Sequence, residues 1–398
     1  MILNRYNYSF IALILFHFCV LLFTMDGFSI SYKESLIYFQ GDSILHIITN
    51  FSTSLFGQTD FALRFPFILF YIGSSILLYL LTDDYFKSQW DRVFCLSIFM
   101  ILPGLNSAAL LVNESIIVVF GTLLYLYLYK IREKEHYYLL ILFLFVDNSF
   151  AILFLALFFY SLKKRDNTLL LVSLVLFGTS MSIYGFEVGG RPRGYLIDTF
   201  GVYATIFSPL LFLYFFFSLY RIGLKWEKDM YWYVAITALA LSLVFSLRQK
   251  IAIEDFAPFV VIAIPIMVKL FMHSIRVRLK EFRKVHYTVA SITLLVLIIN
   301  FFIFIFNQYL YLFLENNKKH FAYDYHIVKD LSYKLKDLNI SNVHTKDKEL
   351  ALRLQFYKIY EGEDYLLTSE NLNSFDKEIK INYHKKDIET FRIKELPK

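Results

Sequence analysis

The chain has 398 residues, of which 57% are hydrophobic and 19% charged, with 44 Phe and 30 Tyr. A soluble globular domain of ordinary composition does not carry this much apolar surface, so the sequence indicates an integral membrane protein. The formal net charge of +6 comes mostly from short loops between apolar segments. Membrane orientation explains such charges, so we expect no nucleic acid among the partners.

Many apolar segments of about 17 to 25 residues follow one another, each long enough to cross a hydrocarbon core as a helix. We predict an all-α polytopic membrane protein with eleven passes, two of them in a tight hairpin over 138–162. Cys19 and Cys95 lie in apolar runs, and no spacing indicates a disulfide framework or a metal site. The predicted crossings are 8–25, 63–82, 93–112, 115–131, 138–162, 168–185, 199–220, 230–247, 257–273 and 288–314.

The predicted topology places alternate loops on opposite sides of the membrane, and basic residues are more frequent in the loops of one side. The segments KIREKEH at 130–136 and KKRDN at 163–167 belong to the same, richer set, as does the cluster around Arg276. The richer set faces the cytoplasm in membrane proteins. We therefore expect a multi-pass protein of the inner (plasma) membrane, with a cytoplasmic N-terminus, a retained first helix and an extracytoplasmic C-terminal domain.

The composition changes after residue 316, which divides the chain into a transmembrane domain, 1–316, and a polar domain, 317–398. Ile327, Val328, Leu331 and Leu335 are spaced for one face of a helix. KELALRLQFYKIY suits a second helix, whereas ISNVHT, EDYLLTS and KEIKINYH suit strands. We predict a small soluble α/β domain.

The loops on the predicted outer face are rich in carboxylates and in Arg and Lys. This combination suits a substrate with an anionic phosphate and a lipid tail, because cations hold the phosphate while a carboxylate accepts a proton. Three stretches carry most of these groups: LFGQTDFALRFPFILF at 55–70, GFEVGGRPRGYLIDTFG at 185–201, and VFSLRQKIAIEDFAPFVVIAIPIM at 244–267.

The order of these segments resembles the GT-C integral membrane glycosyltransferases of the protein O-mannosyltransferase and aminoarabinose transferase type, as a divergent member. FGQTDFALRFP matches the family's entry to the second span, and LRQKIAIEDFAPFVV is a looser match to a late outer segment. Where that family has Asp-Glu in the first outer loop, this chain has Lys33-Glu34, with Tyr38 close to the family's Tyr.

The resemblance implies transfer of a sugar from a polyprenyl-phosphate donor to a cell-envelope acceptor, with inversion at the anomeric carbon. No cofactor is implied, because the lipid-linked sugar is itself the donor; the partners are this donor, membrane lipids and an envelope acceptor. For the catalytic base we predict Glu34, with Asp42 and Asp26 as replacements. Phosphate contacts are predicted from Arg64, Arg191, Arg193, Arg248 and Lys250.

Two other functions fit the same sequence features. A transporter or flippase of lipid-linked sugars would place charges near the membrane midplane and show an internal repeat. A non-catalytic membrane scaffold related to the transferases would tolerate replacement of Glu34.

Overall fold

The computed structural model describes residues 5–185, 188–189, 191–370, 375–384 and 386–396. The chain separates into two compact units. The first unit contains the chain up to Phe18, Phe67–Ala109 and Asn113–Phe301; the second contains Cys19–Pro66, Leu110–Val112 and Phe302–Lys398.

The first unit is built from apolar helices, in agreement with the predicted helical membrane part. Three long helices, α1 (Arg5–Asp26), α4 (Asp60–Leu81) and α16 (Lys280–Ile305), are divided between the units by sequence. The other helices of the first unit are α5 (Gln89–Met100), α6 (Pro103–Leu110), α7 (Ser115–Arg132), α8 (Tyr137–Leu144), α9 (Phe150–Lys164), α10 (Asn167–Ile183), α11 (Leu196–Phe207), α12 (Pro209–Lys225), α13 (Met230–Ser246), α14 (Ile253–Val261) and α15 (Ile264–Val277). A short ribbon pairs β1 (Val188–Gly189) with β2 (Lys250–Ile251).

Three predicted spans are bent pairs of helices. The bends are 58° between α5 and α6, 105° between α11 and α12, and 41° between α14 and α15. The second helix of each pair carries proline at its first or second residue, namely Pro103, Pro209 and Pro265. Proline is favoured at the first turn of a helix but cannot continue a preceding one, which explains the position of each break.

Within the described residues, four helices are long and apolar enough to cross a membrane, and counting each bent pair as one span gives seven. The predicted hairpin over 138–162 comprises α8 and α9, and the eight residues of α8 extend only about 12 Å. That is too short to cross a hydrocarbon core of about 30 Å. The eleven passes therefore remain a prediction.

The second unit begins with two short helices in the first loop, α2 (Tyr32–Gln40) and α3 (Ile44–Phe56). Ser31 starts α2 with a capping box: its hydroxyl accepts from the Glu34 N–H, and the Glu34 carboxylate accepts from the Ser31 N–H. Gly57 ends α3 with φ +83°, a conformation that glycine adopts without steric penalty. Ser31 and Gly57 thus mark the start and the end of the helical part of the first loop, between α1 and α4.

The C-terminal part of the second unit is a small α/β domain, as predicted. After 3₁₀ turns at Asn307–Leu312, Asn317–Lys319 and Tyr323–Tyr325, it contains α17 (Val328–Asp337), β3 (Asn342–His344), α18 (Lys348–Phe356), β4 (Tyr360–Thr368), β5 (Lys377–Tyr383) and β6 (Lys386–Glu395). The sheet order is β3-β4-β6-β5, with β3 parallel to β4 and the other pairs antiparallel.

The face of α17 predicted from its apolar spacing is confirmed, since Ile327, Val328, Leu331 and Leu335 are all buried in the core of this domain. Each predicted strand is present, but the predictions omit β6, the central partner of β4 and β5. Its apolar residues Ile388, Phe391 and Ile393 do not alternate strictly with polar ones, so the alternating pattern that indicates a strand is weak there.

Candidate functional site

Five side chains of alternating charge form a cluster of ion pairs in the second unit. It starts at Glu34 in α2, continues through Arg64 and Asp60 in the first turns of α4, and ends at Lys329 in α17 and Asp26 at the end of α1. Four separate elements supply these five groups. This charge cluster therefore connects the first loop to the C-terminal domain.

Arg64 is the centre of this cluster and is 0% exposed. Its Nη2 donates to Glu34 Oε2 at 2.7 Å and to the carbonyl of Ser29 at 2.8 Å. Its Nη1 donates to the carbonyl of Phe28 at 3.1 Å and lies 3.5 Å from Asp60 Oδ1. An arginine enclosed in this way holds the first loop against the start of the second span, and its guanidinium is directed at protein groups.

Glu34 is equally enclosed, with 2% exposure. Oε2 accepts from Arg64 and from the Ser31 N–H at 2.9 Å, and Oε1 accepts from the Val112 N–H at 3.1 Å. Three donors from three chain segments therefore converge on one carboxylate. Such a group stabilises the loop and keeps Arg64 charged, whereas a proton acceptor needs a free oxygen facing the substrate.

Asp60 and Tyr357 connect this ion pair to the C-terminal domain. The Tyr357 hydroxyl donates to Asp60 Oδ1 at 2.7 Å and accepts from the Ile30 N–H at 3.0 Å. Burial and the charge of Asp60 raise the pKa of Tyr357 well above its ordinary value. The phenol therefore stays protonated and is a constant donor to Asp60.

Lys329 forms the outer end of the cluster. Its Nζ donates to Asp26 Oδ1 at 2.8 Å and lies 3.7 Å from Asp60 Oδ2. Burial, which opposes the charged form, is outweighed by these two carboxylates and the pKa of Lys329 is raised. The Asp26 side chain is 88% exposed, so it is the carboxylate of the cluster that a solute can reach.

Two cavities meet at this end of the cluster. The wide cavity, of about 520 Å³, combines an apolar wall with lysines; its lining includes Leu22, Phe61, Asp26, Lys329, Lys336 and Lys358. The narrow cavity, of about 290 Å³, is more polar and includes Ser29, Gln308, His326, Asp330 and Tyr383. Asp26 and Lys329 line both cavities.

Two backbone conformations beside these cavities are unusual. Ile327 has φ +78° and ψ −61°, and the Val328 N–H donates to the His326 carbonyl at 2.9 Å, which defines a γ-turn of the strained, positive-φ type. Lys358 has φ +63° just after α18, where glycine is the usual residue. Strain of this kind concentrates at ligand sites, where it is part of how the site is built.

His326 lies between the γ-turn and the narrow cavity and is 1% exposed. Its Nδ1 is 2.9 Å from the Tyr311 hydroxyl, whereas its Nε2 has no hydrogen-bond partner in the described part of the chain. Burial and the nearby His320 lower the pKa of His326 to about 3. The ring is therefore neutral at physiological pH.

The remaining predicted residues lie elsewhere. Asp42 is exposed just before α3. Arg191, Arg193, Arg248 and Lys250 are exposed in the first unit, where the Arg193 N–H donates to the Arg248 carbonyl at 3.2 Å and Lys250 belongs to β2. These four basic residues thus gather at one short ribbon. Residues 186, 187 and 190 of the predicted loop lie outside the described residues.

Asp60, Lys329 and Tyr357 are absent from the sequence-based predictions of the site. The sequence contains one local signal: Ser31-x-x-Glu34 matches a capping box, which predicts that the Glu34 carboxylate accepts a hydrogen bond from a backbone N–H. Nothing in the sequence pairs Asp60 with Tyr357, 297 residues later. In the described ranges no group of three or more His, Cys, Asp or Glu residues is arranged to hold a metal ion.

Three comparisons relate this chain to known proteins. A family model described as dolichyl-phosphate-mannose-protein mannosyltransferase matches residues 44–150. A search of curated proteins gives no significant match. The matched segment includes the FGQTDFALRFP stretch and, with it, Asp60 and Arg64.

The fold is similar to that of ArnT from Cupriavidus metallidurans. The ArnT structure bound to undecaprenyl phosphate matches with a TM-score of 0.50 and 11% identity, over 90% of this chain and 85% of that chain. The apo structure of the same protein matches with a TM-score of 0.50 and 12% identity, over 88% and 84%. The family match and the shared fold confirm the resemblance to GT-C glycosyltransferases.

Proposed function

We propose that this protein, which the family match and the GT-C fold indicate to be a multi-pass membrane glycosyltransferase, transfers a sugar from a polyprenyl-phosphate donor to a cell-envelope acceptor on the outer face of the membrane. The observation that carries the proposal is the charge cluster that opens onto the wide cavity. This cavity offers lysines for a phosphate beside an apolar wall for the start of a lipid tail.

In the reaction, an acceptor hydroxyl or amine attacks the anomeric carbon of the donor sugar. The bond between that carbon and the phosphate oxygen breaks, and polyprenyl phosphate leaves with the electron pair. The acceptor's proton goes to a carboxylate. A single displacement of this kind inverts the anomeric centre.

Among the three carboxylates predicted for the base, the geometry favours Asp26. It is exposed, it lines both cavities, and Lys329 holds it in place at 2.8 Å. Glu34 already accepts three hydrogen bonds, so in this proposal it positions Arg64. Asp42 lines neither cavity.

Phosphate contacts in this proposal come from lysine side chains of the wide cavity. Lys329, Lys336 and Lys358 line the cavity, and neutralising the leaving phosphate is where cations contribute most to such a reaction. The phosphate role that the sequence predicts for Arg191, Arg193, Arg248 and Lys250 stays a prediction, since they line neither cavity of the cluster. Arg64 makes no phosphate contact in this proposal, because its buried guanidinium serves the loop.

The experiment compares envelope glycans by mass spectrometry in a deletion strain complemented with wild type, Asp26→Asn, Glu34→Gln or Asp42→Asn, each checked for its level in the membrane. We expect Asp26→Asn to reduce transfer about 100-fold or more at a normal protein level, and Asp42→Asn to leave it unchanged. Full transfer by Asp26→Asn would remove Asp26 as the base. Unchanged glycans in the deletion strain itself would contradict the transferase function.

A further inference from the structure

A second cluster of charged residues lies in the first unit, at a cavity of about 610 Å³. This basic cavity is bordered by the C-terminal ends of α4, α7 and α9, the start of α13, and α15. Its lining includes five lysines: Lys130, Lys163, Lys164, Lys228 and Lys269. None of them has a part in the proposed transfer reaction.

Two of these lysines are neutralised by carboxylates. Lys130 Nζ lies 3.1 Å from Asp84 Oδ2, and Lys164 Nζ lies 3.2 Å from Glu135 Oε1. In each pair the opposite charges largely cancel, so the pair has little attraction for a further anion. The other three ammonium groups are those of Lys163, Lys228 and Lys269.

Lys163, Lys228 and Lys269 have other partners. Lys163 Nζ donates to the backbone carbonyl of Lys228, Lys228 Nζ lies 5.1 Å from the centre of the Trp232 ring, and Lys269 Nζ lies 3.9 Å from the centre of the Tyr85 ring. Within the described ranges, no carboxylate lies at ion-pair distance from these three ammonium groups. Asp84, Glu227 and Asp229 also line the cavity, so five ammonium groups face three carboxylates and the lining keeps an excess of positive charge.

Lys269 is the most informative of the three. It belongs to α15, which together with α14 is long and apolar enough to cross a membrane, and an ionisable group in such a segment is costly and usually functional. Tyr85, whose ring it covers, donates its hydroxyl to Asp229 at 2.9 Å, and Asp229 also caps α13. The Tyr85 ring and the charge of Asp229 thus both attract the Lys269 ammonium group.

We propose that the basic cavity binds the phosphodiester headgroup of an anionic phospholipid. The ammonium groups are donors for phosphate oxygens, and Leu81, Leu126 and Met230 in the same lining provide apolar contact for the glycerol end of the acyl chains. Basic pockets between membrane helices on the cytoplasmic side are typical sites for such headgroups. The other four lysines, Lys130, Lys163, Lys164 and Lys228, lie at the helix ends and loops that the sequence predicts to face the cytoplasm.

The test uses the full chain in a neutral detergent with dilute phosphatidylglycerol, with retained lipid counted by native mass spectrometry. The cavity variant is Lys163→Gln/Lys228→Gln/Lys269→Met. The matched control, Lys87→Gln/Lys134→Gln/Lys225→Gln, removes the same charge from exposed lysines outside the cavity. Inorganic phosphate and phosphatidylcholine serve as alternative ligands, and melting without lipid shows whether each variant folds.

We expect the cavity variant to bind phosphatidylglycerol about tenfold or more weakly, while the control stays close to wild type and phosphatidylcholine is not retained by any of them. Equal weakening in both variants would overturn the proposal in favour of general surface attraction. Displacement of the lipid by millimolar inorganic phosphate would overturn it in favour of a free anion. If the triple variant unfolds, the single Lys269→Met variant gives the same comparison against Lys225→Gln.

Discussion

At the scale of single residues, the site depends on a buried arginine whose partners come from distant parts of the chain. Arg64 is predicted from the sequence as a phosphate ligand, which stays a prediction; in the structure it is 0% exposed and bonded to Glu34 and to the Phe28 and Ser29 carbonyls. Sequence alone could predict the capping box that occupies Glu34. It could not predict that Lys329 leaves Asp26 exposed at a cavity, because that contact spans 303 residues.

Replacing Glu34 by Gln should lower the free energy of unfolding by about 3 kcal/mol, since removing one partner of a buried ion pair leaves the other charge uncompensated. The measurement is thermal or denaturant unfolding of the purified protein in detergent. Glu363→Gln, a change of the same kind at an exposed position of β4, should have little effect. Equal stability of the two variants would show that Asp60 alone suffices for Arg64.

The buried His326 should make stability depend on pH. Its pKa is about 3 in the folded protein against 6.5 for an ordinary histidine, so between these values the unfolded chain binds more protons. Stability is then lost as the pH falls from 6.5 towards 3, by about 1.4 kcal/mol per pH unit. Melting temperatures from pH 7 to pH 4 should fall more steeply for wild type than for His326→Asn; parallel curves would contradict this.

At the scale of elements, apolar length and proline position explain most of the membrane part. The three bends lie directly before or at Pro103, Pro209 and Pro265. Length alone does not reveal that α8 has only eight residues. Nor does any residue type predict the positive φ at Lys358, because glycine is the usual signal for that conformation.

Lys358 offers a test in which stability and function should change in opposite directions. Lys358→Gly should stabilise the C-terminal domain by about 1 kcal/mol, because glycine adopts φ +63° without the steric penalty of a side chain. The same change should weaken donor binding, since it removes a lysine from the wide cavity. Unfolding and donor titration measure the two effects.

The control for this prediction lies in the preceding helix, α18. Gln355→Gly places glycine inside α18 at an exposed position, where it should destabilise by about 1 kcal/mol and leave donor binding unchanged. A loss of stability in Lys358→Gly as large as that in the control would show that Lys358 makes contacts that outweigh its backbone strain.

At the scale of the whole molecule, the second unit is assembled from three separated stretches of chain. The C-terminal domain is tied to the first loop: the Ser29 N–H donates to the Tyr325 carbonyl at 2.7 Å, and Arg353 Nε donates to the Ile30 carbonyl at 3.0 Å. The sequence shows a boundary near residue 316 as a change in composition. Composition carries no information about which earlier segment a polar domain packs against.

A protease site inserted between Glu315 and Asn316 tests this connection. After cleavage, the fragment from Asn316 onwards should stay with the rest of the protein through gel filtration in detergent, because buried hydrogen bonds and the Asp60–Tyr357 contact hold it. Adding Asp60→Asn and Glu34→Gln should promote its release. Separation of the unmodified fragments would contradict the interlocked assembly.

The interleaving of the second unit also sets an order of events during synthesis. Glu34, Asp60 and Arg64 are made early, whereas Lys329, Lys358 and Tyr357 belong to the last quarter of the chain. The wide cavity and the partner that holds Asp26 therefore exist only after residues 329–358 have folded against the first loop. A nascent protein with its earlier helices in place has neither of them, so completion of the cavity depends on a segment that is synthesised about 270 residues after the first loop.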